Sequence, residues 1–223
     1  MALLTLVPTP IGNLDDITLR SIKAFESADV IFAEDTRVTK RLLNHLNIQK
    51  QVIPFHAHNE HKVLDRAIET IQASENTVLV SDAGTPGISD PGFLLIRACI
   101  EKEILICCLP GPTALIPALV GSGFPCDRFC FEGFLPHKKG RQTKLTMLAE
   151  EERTIVLYES PHRLVKCLKQ IEEYFGPERL VCVVREISKI YEEYKRGPAN
   201  EVRAHYESHP PKGEIVIIIK GKT

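Results

Sequence analysis

The sequence predicts an α/β protein, because short apolar runs alternate with segments of helical period along all 223 residues. Continuous apolar runs rich in β-branched residues, such as 77–80 and 215–219, are typical of strands buried on both faces of a sheet. Hydrophobic residues make up 43% and charged residues 26% of the chain, values close to those of average globular proteins. Composition therefore excludes a disordered or low-complexity protein, and we expect a largely parallel sheet.

The apolar runs predict ten strands, five in each half of the chain. They lie at 3–8, 29–33, 51–54, 77–81, 104–108, 129–132, 154–158, 180–185, 190–195 and 214–219. The segments between them predict helices near 18–28, 36–46, 60–73, 90–101, 112–120, 140–151, 162–174 and 199–206. Because residues 121–125 are rich in turn formers, we place a boundary there and predict two domains, 1–120 and 121–223.

Several classes of protein are excluded at this stage. The apolar start of the chain lacks a basic region and reaches Pro8 too soon for a signal peptide. The uncharged segment 104–126 contains four prolines and three glycines, which favours a strand, a loop and a short helix over a membrane span. The seven cysteines have no metal-ligand spacing and fit a reducing compartment. We therefore expect a cytoplasmic protein with no membrane partner.

Two ligand classes are also disfavoured. No G-x-G-x-x-G occurs, so the dinucleotide fingerprint is absent. His56, His58 and His61 fit neither one helical face nor a standard zinc pattern. We predict no bound metal ion.

Three loops that follow predicted strands are candidates for a ligand site, since ligands of open α/β sheets bind beyond the carboxyl ends of the strands. The first loop, 7–13, contains Pro8 and Pro10, which remove N–H donors and favour carbonyl acceptors over a phosphate cradle. The second loop, 81–92, has three glycines that permit close backbone approach, with Asp82 and Asp90 suited to hydroxyls or a cation. The third loop, 109–114, is a tight strand exit and a plausible second wall.

Charge is divided unevenly along the chain. Residues 1–115 hold 10 Lys/Arg and 14 Asp/Glu, a net −4, whereas residues 116–223 hold 18 and 15, a net +3. The segment 133–144 carries Lys138, Lys139, Arg141 and Lys144 and no acid. Cations at the start of a helix oppose its dipole, so these residues indicate a polyanion, for which RNA phosphate is the natural counter-ion.

These loops together resemble the tetrapyrrole-methylase superfamily, and more specifically its small-subunit ribosomal RNA methyltransferase branch. The resemblance rests on VPTPIGNLDDITLR at 7–20, AEDTRVTKRLL at 33–43, SDAGTPGISDPG at 81–92 and PGPTALIPALVGSGFP at 110–125. It continues with GFLPHKKGR at 133–141, YESPHR at 158–163, REISK at 185–189 and KGEIVIIIKG at 212–221. The matching motifs extend over nearly the whole chain.

The resemblance implies two small α/β domains with a cofactor cleft between them, S-adenosylmethionine as cofactor, and a homodimer. It further implies 2′-O-methylation of a cytidine in small-subunit ribosomal RNA, free or in the assembled subunit. The residues assigned to the cofactor are Pro10, Asp82, Ala83, Gly84, Thr85, Ile88, Thr113, Ala114, Tyr158 and Glu159. Those assigned to RNA are Lys138, Lys139, Arg141, Arg163 and Arg185.

Asp35 and Glu159 are the candidate general bases, because each comes directly after a predicted strand, and Glu34 and Glu186 are nearly as well placed. For Asp35 the alternative is that it caps the helix starting near Thr36. Two other functions stay open at this point. One is a porphyrin or corrin methylase of the same fold, and the other is a non-catalytic ribosome-assembly factor that senses the cofactor.

Overall fold

The computed structural model describes residues 2–56 and 60–222. The chain forms two compact units, Met1–Thr113 and Ala114–Thr223. Each unit contains its own five-stranded sheet. No helix in the described part of the chain is long and apolar enough to cross a membrane.

The sheet of the first unit is parallel throughout, as predicted. Its strands are β1 (Leu3–Leu6), β2 (Val30–Ala33), β3 (Gln51–Pro54), β4 (Asn76–Val80) and β5 (Leu105–Cys108), in the order β3-β2-β4-β1-β5. The helices are α1 (Leu19–Ser27), α2 (Thr36–His45), α3 (Glu60–Gln72) and α4 (Phe93–Glu101). A 3₁₀ turn, Leu14–Asp16, precedes α1.

Alternate side chains of the central strands enter two separate hydrophobic clusters. On β2, Phe32 belongs to one cluster and Ile31 to the other, and on β4 the same division separates Leu79 from Val78. Both faces of the sheet are therefore covered, which explains why these strands are apolar without alternation.

The sheet of the second unit is mixed, so the prediction of a largely parallel sheet is wrong there. Its strands are β6 (Phe129–Phe134), β7 (Thr154–Glu159), β8 (Leu180–Arg185), β9 (Glu193–Pro198) and β10 (Ile215–Ile219), in the order β6-β7-β10-β8-β9. Only β6 and β7 pair in parallel. The reason is local, because residues 186–192 join β8 to β9 without a helix, and a short connection reverses the chain direction.

The helices of the second unit are α5 (Leu115–Ser122), α6 (Arg141–Ala149), α7 (Leu164–Phe175) and α8 (Ala199–Ser208), with a 3₁₀ turn at Pro161–Arg163. α5 contacts β8, β9 and β10. The division between the two compact units therefore comes before this helix, whereas the boundary predicted from the sequence, between residues 120 and 121, lies inside it.

Candidate functional site

The three candidate loops of the first unit are joined by hydrogen bonds at the carboxyl ends of β1, β4 and β5. The Thr9 N–H donates to the Gly84 carbonyl at 3.0 Å, and the Gly84 N–H donates back to the Thr9 carbonyl at 2.9 Å. The Thr85 hydroxyl donates to the Pro112 carbonyl at 3.4 Å, which links the second loop to the third. The loops that the sequence selected separately thus form one cluster, because their strands are neighbours in a parallel sheet.

Two glycines make this close approach feasible. Gly84 has φ of +82°, a conformation that favours glycine. A Cβ at Gly111 would lie 2.8 Å from the Cβ of Pro8, so only glycine lets the third loop pack on the first. One expectation changes as a result. The carbonyl of Thr9 already accepts from the Gly84 N–H, so only its second lone pair is open to a ligand.

Carboxyl groups collect at the same edge of the sheet. The Asp82 N–H donates to Glu34 Oε2 at 3.4 Å. Burial raises the pKa of Glu34, and the charge of Asp82 raises it further. Burial, followed by the charge of Glu34, raises the pKa of Asp90 to about 6. Burial and the neighbouring acids thus disfavour the charged forms of Glu34 and Asp90, and a nearby cation would offset this.

Asp35 is the N-cap of α2, the alternative considered for it. Its carboxylate accepts from the Arg37 backbone N–H at 2.8 Å and from the Arg37 guanidinium at 2.6 Å. The hydrogen bonds from the Arg37 side chain lower the pKa of Asp35 to about 2. A carboxylate with this pKa is a weak proton acceptor at neutral pH, which argues against Asp35 as general base.

Glu159, the second candidate base, is buried in an ion cluster of the second unit. Its side chain is 1% exposed and forms an ion pair with Arg163, whose Nη2 lies 2.7 Å from Oε1, while Arg141 Nη2 lies 3.5 Å from Oε2. The Ser160 N–H also donates to this carboxylate at 2.8 Å. With both oxygens facing guanidinium groups inside the unit, Glu159 is placed to anchor them rather than to take a substrate proton.

The prediction that Arg141 contacts RNA is corrected by the same cluster. The Arg141 side chain is 7% exposed and donates to Gln170 Oε1 at 2.8 Å and to the Pro136 carbonyl at 3.1 Å. A cation at the first position of α6 opposes the helix dipole, and its internal partner Glu159 explains its presence there. Arg141 therefore holds the basic loop, residues 133–144, in place through contacts within the second unit.

The other predicted RNA contacts fall into two groups. Lys138 and Lys139 are exposed at the tip of the basic loop, and neither forms an ion pair with another described residue. Arg163 pairs with Glu159 and also bonds His137, and Arg185 pairs with Glu193 at 3.0 Å. The two lysines are thus the predicted contacts most available to a phosphate.

The remaining predicted residues lie in both units. Pro10 and Ala83 belong to the first and second loops, and Ile88, in the second, is 42% exposed. Thr113 and Ala114 directly precede α5. The Tyr158 ring packs edge-on against Phe131, with 5.0 Å between ring centroids, and against Phe134.

One residue of the site was missed from the sequence. The buried side chain of Glu60, on the first turn of α3, accepts from the N–H groups of Gly92 and Leu94 at 3.2 Å each. α4 begins after Gly92, which has no side chain to cap the helix. Because the residue before α4 is a glycine, the sequence indicated that the first N–H groups of this helix need an acceptor from elsewhere in the chain.

Within the described residues, no group of three or more potential metal ligands is found. His58, one of the three histidines weighed as a metal site, lies outside the described residues.

Two α/β units, the first with candidate ligand loops at the ends of its strands, indicate the class to which the chain belongs. The family described as Tetrapyrrole (Corrin/Porphyrin) Methylases matches residues 3–203, and the chain belongs to it. Curated relatives are more specific. "Ribosomal RNA small subunit methyltransferase I" from Synechocystis sp. is 48% identical over 224 residues, covering 100% of this chain and 80% of the relative. The protein of the same name from Thermotoga maritima is 43% identical, with 100% of both chains covered.

Solved structures agree on the fold. A diphthine synthase superposes with a TM-score of 0.76 at 14% identity, covering 100% of this chain and 91% of that one. A cobalt precorrin-4 methyltransferase superposes with a TM-score of 0.72 at 18% identity, covering 98% and 94%. The predicted family and fold class are confirmed, and with them the prediction of a methyltransferase.

Proposed function

We propose that the protein uses S-adenosylmethionine to methylate the 2′-oxygen of a cytidine ribose in small-subunit ribosomal RNA. The observation that carries the proposal is the cluster of hydrogen-bonded loops beside Glu34, Asp82 and Asp90. The relatives named above supply the class of acceptor.

The electrostatics of this edge fit the proposed cofactor. Burial and nearby acids destabilise the ionised form of a carboxyl, and a positive charge that comes close stabilises this form again. S-adenosylmethionine carries a sulfonium and an ammonium, whereas a nucleotide phosphate would be repelled by the same acids. Ala83, Gly84, Thr85 and Ile88 offer backbone and apolar contacts, and Thr113, Ala114 and Tyr158 remain in the proposal from the resemblance.

The cofactor, when bound, supplies an electrophilic methyl group for in-line displacement by the ribose oxygen. The residues of this chain contribute mainly by holding both reactants in line, which is worth about 7–11 kcal/mol. A general base adds about 10²–10⁴-fold, or roughly 3–5 kcal/mol. Since Asp35 and Glu159 are both engaged within the protein, we propose that positioning dominates and assign neither as the base.

Lys138 and Lys139 are proposed to bind RNA phosphate, since they are exposed cations on the basic loop. Arg141 holds this loop by donating to the Pro136 carbonyl. We propose that the acceptor is small-subunit RNA, free or in the assembled subunit, and that the protein acts in the cytoplasm as a homodimer.

The test is transfer of labelled methyl from S-adenosylmethionine to purified small ribosomal subunits and to their free RNA. We expect label in RNA that, after digestion, is recovered as 2′-O-methylcytidine. A porphyrin acceptor is the matched control and receives none. Label in the porphyrin alone, or subunit binding without transfer, refutes the proposal in favour of a tetrapyrrole methylase or a non-catalytic assembly factor.

A further inference from the structure

A cavity of the first unit shares Pro10 and Asp82 with the residues assigned to the cofactor, but most of its other lining residues have no role in the function proposed so far. Its volume is about 270 Å³. The first loop, the second loop and α2 supply its walls, and its lining includes Pro10, Leu14, Val38, Arg41, His45 and Asp82.

The position of the cavity separates it from most of the residues assigned to the cofactor. β2, β4, β1 and β5 lie side by side in that order. The cavity is on the side of β2, where α2 begins, and none of the described third-loop residues lines it. Its volume of about 270 Å³ is near the lower end of the roughly 300–1,000 Å³ typical of ligand pockets, which leaves room for a single pyrimidine ring.

The lining of the cavity has an apolar part and a polar part. Leu14, Val38 and Leu42 give an apolar surface suited to the face of a planar ring. Asp82 supplies a carboxylate, of which Oδ1 accepts from the Asp35 N–H at 2.9 Å. A carboxylate that accepts from an exocyclic amino group selects cytosine over uracil, which presents a carbonyl there.

The helix beside the cavity carries positive charge, which attracts the phosphates of an RNA strand. α2 carries Arg37, Lys40 and Arg41 and no acid, although residues 1–115 have a net charge of −4. Arg37 is held by Asp35, whereas Arg41 and His45 form no ion pair with any other described residue. Arg41 and His45 are four residues apart, so they lie on one face of the helix at the cavity.

We propose that this cavity takes the base of the acceptor cytidine, unstacked from the RNA, with Asp82 reading its amino group and Arg41 and His45 facing the flanking phosphates. The inference rests on the proposed function. Pro10 and Asp82 belong both to the cavity lining and to the residues assigned to the cofactor, so a base held here brings its ribose next to the methyl donor. Unstacking a base to reach its reactive atom is a common solution in enzymes that modify nucleic acids.

The first experiment fills the cavity with Val38→Trp. The natural chain contains no tryptophan, so the introduced indole also reports folding by its fluorescence. We expect the Kd for small-subunit RNA and the KM for its methylation to rise at least tenfold, while calorimetry gives an S-adenosylmethionine Kd within twofold of wild type. Ile100→Trp, at a residue of α4 that is 61% exposed, is the matched control and leaves both unchanged.

Two further variants keep the inference testable where Val38→Trp fails to fold. Arg41→Gln is expected to weaken RNA binding several-fold and to reduce the slope of log K against log salt by about 0.7–0.9. Asp82→Asn is expected to reduce the preference for a cytidine over a uridine acceptor at least tenfold, measured on subunits reconstituted with either nucleotide. Its S-adenosylmethionine Kd is measured in parallel, because Asp82 is also assigned to the cofactor.

The outcomes separate the inference from the function on which it rests. A wild-type protein that transfers no methyl to RNA defeats the proposed function. A wild-type protein that does so, with Val38→Trp and Arg41→Gln both behaving like Ile100→Trp, overturns the base pocket alone. Loss of S-adenosylmethionine binding in a folded Val38→Trp variant assigns the cavity to the cofactor and also overturns it.

Discussion

Replacing Glu159 by glutamine separates the two roles considered for this residue. The substitution keeps the side-chain shape and removes the charge that faces Arg141 and Arg163. Arg163 is 24% exposed and is able to turn towards solvent, but the Arg141 side chain is 7% exposed and stays behind without a counter-charge. Removing one partner of a buried pair costs about 3–5 kcal/mol, so Glu159→Gln should lower the free energy of unfolding by that amount.

The assay is urea denaturation followed by circular dichroism, with Glu150→Gln as the control. Glu150 pairs with Lys222, and these side chains are 69% and 48% exposed, so that control should cost less than about 1 kcal/mol. Under conditions where Glu159→Gln is folded, its single-turnover rate should stay within a few-fold of wild type. A variant as stable as Glu150→Gln that loses about 10²-fold or more in rate would refute the anchoring role and restore Glu159 as a base.

Three further results are expected. Gly111→Ala places a Cβ 2.8 Å from the rigid ring of Pro8, so it should cost about 1–3 kcal/mol of stability and weaken S-adenosylmethionine binding in calorimetry; unchanged affinity would contradict the packing of the loops. The raised pKa of Asp90, about 6, means that the folded protein holds a proton which the unfolded chain releases near pH 3.8, so stability is lost as pH rises between these values. Asp90→Asn should therefore be more stable than wild type at pH 7.5 but not at pH 4, and urea denaturation at both pH values checks this. Replacing Lys138 and Lys139 together by glutamine should reduce the salt slope of RNA binding by about 1.4–1.8, and an unaltered slope would show that neither lysine contacts RNA phosphate.

The periodicity of the chain was sufficient to predict the ten strands and eight helices of the described residues, because the apolar runs are strong and turn-forming residues separate them. Strand direction was predictable only where a helix intervenes. The connection 186–192 is too short for a crossover, and this was the unused indication that β8 and β9 are antiparallel.

The sequence predicted which loops form the candidate site, but not which of its charged side chains are buried or paired. Loops after neighbouring parallel strands meet at one edge, so the cluster around Thr9 and Gly84 followed from strand order. Whether a charged residue is free depends on tertiary partners that no local pattern encodes. Arg141 and Glu159 are 18 positions apart in the sequence, and only the tertiary structure, in which α6 packs against α7, turns a predicted RNA contact and a predicted base into a buried pair.

The central claim is that the carboxyl-rich edge of the first sheet accepts a cationic sulphur compound. Calorimetric titration with S-adenosylmethionine and with S-adenosylhomocysteine, which lacks the sulfonium charge, at pH values from 5 to 8 tests it most directly. We predict that affinity for the sulfonium compound falls more steeply below about pH 6, where Asp90 takes up its proton. No heat with either compound, or the same pH dependence for both, would contradict the account.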